Sequence, residues 1–169
     1  EVIYTRRRNA LYGERLQLDI MNMLFDTCED IALGAKADNN LDSLKLNTIA
    51  VLGIDFQITK EELEKIPEDQ LTEKLYDDAF AHYKLKNQQT IDKAMPILNQ
   101  LKKTRGATVE NVLVPFTDGK KQIGVSVNLE TTIQTEGAEM TDAMEKMITL
   151  AIIDQAWKEH LREMDDLKQ

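Results

Sequence analysis

From Ala138 to Gln169 the chain contains neither glycine nor proline. Met140, Met144, Met147, Ile148, Ala151, Ile153, Trp157, His160, Leu161, Met164 and Leu167 form a wide stripe through it. These residues recur at three- and four-residue steps, the period of an α-helix with one covered face. No cap residue ends the stripe. Any fold of this chain must therefore accommodate a long amphipathic helix at its C-terminal end.

The opposite end has a matching feature. Residues 2–33 read as one long helix, with Leu11, Leu18, Met21, Leu24, Phe25, Cys28 and Ile31 at helical spacing. Gly34 is the expected stop, since glycine reaches the left-handed conformation without a Cβ penalty. Gly13 sits inside the pattern at a cost of about 1 kcal/mol against Ala. The first dozen residues carry a weak apolar stripe, so this helix gains stability from something packed on it.

Between the helical ends the pattern is more broken. "KADNNLDS" is polar and turn-forming, and "LDSLKLNTIAVLGI" is expected to hold a short helix. Thr59 and Glu62 have the spacing of a capping box, each side chain satisfying a free backbone N–H of the first turn. A short helix "KEELEKI" should follow and end before Pro67. The next helix starts near Glu68 and turns Leu71, Leu75, Ala79 and Tyr83 inward. Pro96 is expected to mark a kink or a new helix start, because it lacks an N–H and clashes with the preceding turn. In "VENVLVPF–TDGK–KQIGVSVNL", β-branched residues flank Asp118-Gly119, a hairpin signal. Pro115 removes a ladder donor, which places its strand at an edge. A lone hairpin is marginal in water, so this one must lean on other elements.

The 169 residues carry a net charge of −9. An acidic chain is a poor general binder of nucleic acid, which requires clustered Lys and Arg. The one basic run, Arg6-Arg7-Arg8, reads as the solvated face of a helix. The single cysteine, Cys28, allows no intramolecular disulfide and reads as a small buried apolar residue; a cytoplasmic address follows. No apolar run approaches the roughly 18 residues of a membrane span. Glu1 is not an initiator Met, so the chain is expected to be a piece of a longer one, and the lack of a targeting signal carries no weight.

Candidate chemistry is thin. His82 and His160 are the only histidines, and the zincin spacing is absent. Glu159 and Glu163 share a helix face, but His160 points about 100° away from Glu159. No metal site is expected. Asp77-Asp78 and Asp165-Asp166 are helix neighbours, which do not face each other as a proton-sharing pair would. Ser43 and Ser126 lack a nucleophile-elbow pattern, and no phosphate-cradling glycine motif occurs. The Met-rich stripe reads as core packing, or as an adaptable partner surface. Trp157, with His160 and Leu161, reads as a packed anchor.

The closing stretch "AIIDQAWKEHLREMDDLKQ" resembles the scaffold segment of the SecA family, the ATPase motors of bacterial preprotein export. That family has a "D-x-x-W-x-x-H-L-x-x-M-D-x-L" pattern leading into a two-helix finger. Asp154, Trp157, His160, Leu161, Met164, Asp165 and Leu167 match it. "VIYTRRRNALYGERLQLDIMNMLFDTCEDI" is similar to the distal half of the family's long scaffold helix. "IPEDQLTEKLYDDAFAHYKLK" suits the last helix of its wing.

The resemblance implies a mainly α fold: two long scaffold helices pairing antiparallel, with a helical wing subdomain carrying an inserted β-hairpin. Residues 1–33 would be the distal scaffold helix, 34–136 the wing with an insertion at about 91–136, and 137–169 the returning helix. Leu18, Met21, Phe25 and Cys28 would pack against Met144, Ile148 and Ala151. Trp157, His160, Leu161, Met164, Asp165 and Leu167 would contact other domains. The implied function is a non-catalytic frame that links nucleotide-binding domains to the preprotein-contacting finger. ATP and Mg would belong to the intact motor, with no cofactor in this segment. Its partners would be the motor's other domains, a SecY-type membrane channel and preproteins, and its place the cytoplasm and the inner-membrane surface. Read from the residues alone, a stand-alone helical adaptor that binds a partner helix is the alternative, and a carboxylate hydrolase a distant third.

Overall fold

A computed structural model describes residues 5, 16–117 and 119–168, with no account of the side chains at 157 and 168. The expected start of the first helix, with Leu11, Gly13 and Arg6-Arg7-Arg8, therefore lies outside the described residues, as do Asp118 and the Trp157 side chain. The chain is mainly helical with one two-stranded antiparallel sheet. Residues 18–88 form one compact unit; residues 1–17 and 89–169 form another.

Within 18–88 the principal helix is α1 (Leu16–Asp38). It does not stop at Gly34. Its end comes at Asn39, which takes the left-handed conformation at φ 48° and donates its N–H to Ala35 O. The reason is packing. Ala32 and Ala35 are buried on either side of Gly34, and carrying the helix past it keeps both in the core. Asn39 reaches positive φ more readily than other non-glycine residues. Asn40 then caps α2 (Leu41–Asn47), its side chain accepting from Ser43 N. A π-helical turn, Thr48–Leu52, follows and closes at Gly53, φ 67°. Buried Thr48 donates its hydroxyl to Lys45 O, so no polar group is stranded there.

The next segment is extended, and Ile54, Phe56 and Ile58 alternate into the core while Asp55 and Gln57 face out. This is the two-residue period of an extended chain, here without a sheet. The capping box forms as read: Thr59 Oγ1 accepts from Glu62 N, and the Glu62 carboxylate accepts from Thr59 N. It opens α3 (Lys60–Lys65). The far end of α3 is closed from α1, where Lys36 Nζ donates to Leu63 O at 2.9 Å and Glu64 O at 3.3 Å. A cation on the orphan carbonyls of a helix C-terminus is favoured by the bonds and by the helix dipole.

Helix α4 (Glu68–Arg105) supplies Leu71, Leu75 and Ala79 to this core, with Tyr83 half-buried beside them. Together with Cys28, Leu44 and Leu63 they make one continuous cluster. No new helix begins at Pro96, which lies exposed inside α4. The missing N–H costs one helical bond. Buried Leu98, with Ala94, Met95 and Leu101 packed around it, keeps the helix going beyond it.

In the second unit, β1 (Asn111–Thr117) and β2 (Gln122–Asn128) form the expected hairpin, with Val114 opposite Val125. Val112, Val114 and Phe116 share the inner face with Ile123, Val125 and Val127. Gly119 supplies the positive φ of the turn, 90°, and its N–H donates to Thr117 Oγ1. Pro115 sits opposite Gly124. The hairpin does not stand alone: its inner face clusters with Leu98 of α4, Leu129 of α5 (Leu129–Gln134) and Met140 of α6 (Ala138–Lys168). The hairpin thus shares a compact unit with the returning helix.

Cys28 is fully buried, and burial pushes its thiol from 9.0 up to about 11. A raised folded-state value means the neutral thiol is favoured in the fold. The stability this contributes is complete below about pH 9 and is lost as the pH rises toward 11. Alkylation of Cys28 by iodoacetamide at pH 8 is expected to run at least about 100-fold slower in the native chain than in denaturant. Comparable rates in the two states would show that the thiol is not enclosed.

Candidate interaction surface on the C-terminal helix

Helix α6 is launched by a tight corner. Thr135 ends α5, and Glu136 and Gly137 both take positive φ, 54° and 93°. Gly137 N–H donates to Thr132 O, and Thr135 Oγ1 accepts from Glu139 N at the new helix start. Met140, the first core residue of α6, is 1% exposed against the hairpin cluster. Ala143 and Met144 are half-buried and Glu145 is buried. Near this base lies a cleft of about 630 Å³ lined by Val125, Ser126, Glu139, Asp142, Glu145 and Met147, among others. Ser126 has no histidine among the described lining residues, so no nucleophile and base are paired there.

Along α6 the burial then stops. Ile148 and Ala151 are exposed, and Ile152 is 62% exposed. Every described side chain from Lys158 to Leu167 is exposed. Leu161, Met164 and Leu167 are among them, at 43%, 42% and 87%. His160, Leu161, Met164 and Leu167 follow one another at steps of one and three residues, which keeps them along one side of the helix, with Asp165 at its border. Leu161, Met164 and Leu167 thus leave apolar surface on this side of α6. Such surface in a folded chain marks a place of contact.

The other residues expected to pack are distributed as follows. Cys28 lies in the core of residues 18–88. Phe25, 37% exposed, meets the Tyr76 ring edge-on at 5.6 Å. Leu18 is 54% exposed and Met21 is half-buried. Ile152 is exposed as well, but helical spacing puts it about 120° round α6 from Met164, off the stripe of Leu161, Met164 and Leu167. Among the described residues no three His, Cys, Asp or Glu side chains converge as a metal set. Among them, too, no helix is long and apolar enough to cross a membrane.

The chain matches a family model, the SecA wing and scaffold domain, over residues 1–169. It is 48% identical over 99% of its length to the protein translocase subunit SecA of Cytophaga hutchinsonii. The corresponding proteins of Flavobacterium psychrophilum and Bacteroides fragilis are 41% and 39% identical, over 100% and 99% of the chain. The segment at 91–136 lies inside the range matched by the family model. The chain spans about 15% of the length of each of these relatives. No solved structure matches it. A mainly helical chain with an exposed C-terminal stripe, matched from end to end by this family, belongs to the SecA wing and scaffold domain family.

Proposed function

We propose that this chain is the non-catalytic wing and scaffold portion of an ATP-driven motor that exports preproteins across the bacterial cytoplasmic membrane. In this reading it is a frame, linking nucleotide-binding domains to a preprotein-contacting finger. The observation that carries it is the exposed apolar stripe of α6 at Leu161, Met164 and Leu167, which match the scaffold pattern the sequence resembles. A helix that leaves these residues in water gains stability when another domain covers them. The names of the relatives, all translocase subunits, support the export role and do not favour a stand-alone adaptor.

The chain itself hydrolyses nothing in this reading, and ATP with Mg binds elsewhere in the motor. Its neighbours are the motor's other domains and, through them, a SecY-type channel and the preprotein, at the cytoplasmic face of the inner membrane. Residues 1–33 and 137–169 are the scaffold segments in this reading. Residues 34–136 are the wing excursion between them.

The test places Leu161→Glu with Leu167→Glu in the full-length motor. Preprotein-stimulated ATP turnover is expected to fall at least about tenfold, because a charge buried at a domain contact is costly. The melting of the 169-residue chain should not change, since both side chains are exposed in it. Unchanged stimulation in the full-length protein would rule out the scaffold contact.

A further inference from the structure

Charge is unevenly divided along this chain. Residues 18–88 carry fifteen Asp and Glu against seven Lys and Arg, a net of −8 out of −9 for the whole. On the same unit an aromatic row runs across two helices. Phe25 of α1 meets Tyr76 of α4 edge-on at 5.6 Å and 64°. Tyr76 stacks on Phe80 at 5.8 Å and 4°. Lys84, one further turn along, holds its ammonium 4.6 Å from the centre of the Phe80 ring. Tyr76, Phe80 and Lys84 repeat every four residues and so lie in one line on α4.

The row is only partly covered: Phe25 is 37% exposed, and Tyr76 and Phe80 are half-buried. Carboxylates flank it. Glu73 and Asp77 stand three residues before Tyr76 and Phe80, and Asp26 and Glu29 follow Phe25; all four are exposed. An aromatic face attracts a cation through its ring quadrupole, and the surrounding negative field draws cations from solution. The Lys84–Phe80 contact shows that a cation already settles on this row.

We propose that the row Phe25–Tyr76–Phe80 is a docking face for an arginine- or lysine-bearing peptide segment of a partner protein. Its cations meet the part of the row left open to solvent beside Lys84, which already lies over Phe80, and Glu73, Asp77, Asp26 and Glu29 hold the charge on either side. An acidic segment is repelled by the same field. Anionic lipid and nucleic acid are excluded as occupants for that reason. The proposal is independent of the export role: an adaptor with this surface would bind the same segment.

The test uses the full 169-residue chain and two fluorescein-labelled twelve-residue peptides, one of alternating Arg and Ser, the other of alternating Glu and Ser, read by fluorescence anisotropy. The arginine peptide is expected to bind and the glutamate peptide not to bind. Affinity should fall at least about threefold as salt rises from about 50 to about 200 mM, through screening of the carboxylates. Phe25→Leu with Phe80→Leu removes the ring quadrupoles and keeps apolar bulk; binding should weaken about fivefold. Glu73→Gln with Asp77→Asn, exposed changes that leave the core untouched, should weaken it about threefold. Failure of the arginine peptide to bind, or equal binding by the two peptides, overturns the proposal. So does binding that survives both sets of substitutions, which would indicate only diffuse attraction to an acidic chain. None of these results bears on ATP turnover in the full-length motor, so the two readings fail separately.

Discussion

Gly137→Ala is expected to destabilise the chain by about 2–5 kcal/mol. Gly137 has φ 93°, where an L-residue pays about 1–2 kcal/mol. The added Cβ would also stand 2.6 Å from Ile91 Cγ2 and 3.0 Å from Cγ1. Ile91 is half-buried against the hairpin cluster and cannot withdraw without disturbing it. Overpacking of this kind costs about 1–3 kcal/mol. Thermal unfolding followed by circular dichroism measures the sum. Ile91→Ala added to Gly137→Ala should recover part of the loss, since it removes both clashing carbons, and a double-mutant cycle isolates that part. A Gly137→Ala chain that melts like the parent, or strict additivity of the two changes, would refute the close approach.

Leu75→Ala should cost about 3–5 kcal/mol by a different route. Leu75 is fully buried in the cluster of residues 18–88 with Leu44, Leu63 and Leu71, also buried. Truncation removes its transfer free energy and leaves a cavity that its packed neighbours fill only partly. Hydrogen exchange read by mass spectrometry should show lost protection in peptides from 18–88, including the π-helical turn and α3. A loss below about 1 kcal/mol would mean the site is looser than its zero exposure implies.

Much of the local structure could be read from residues alone. The capping box at Thr59 and Glu62 and the buried line Leu71, Leu75, Ala79 appear as their spacing requires. So does the hairpin about Gly119. Each depends on contacts within a few residues, where backbone geometry and side-chain type leave few alternatives. The two breakers by local propensity, Gly34 and Pro96, do not end their helices. At both, buried neighbours outweighed about 1–3 kcal/mol of unfavourable propensity. Such compensation comes from residues distant in sequence, so no local pattern announces it.

The apolar stripe on α6 was legible in the sequence, but its state was not. Spacing places Leu161, Met164 and Leu167 on one side of a helix; it cannot say whether that side is covered. Only the folded chain distinguishes buried Met140 from exposed Leu167 on one helix. The same holds for the aromatic row, where Tyr76 and Phe80 are visible as a four-residue step while Phe25 joins them only through the packing of α1 on α4. Sequence alone determined most of the helical segments, though not α5 or the runs past Gly34 and Pro96, and where the hairpin turns, because these follow from short-range sterics and periodicity. Tertiary structure decided which apolar faces are used up inside the chain and which remain for a partner, because burial is a property of everything that surrounds a residue.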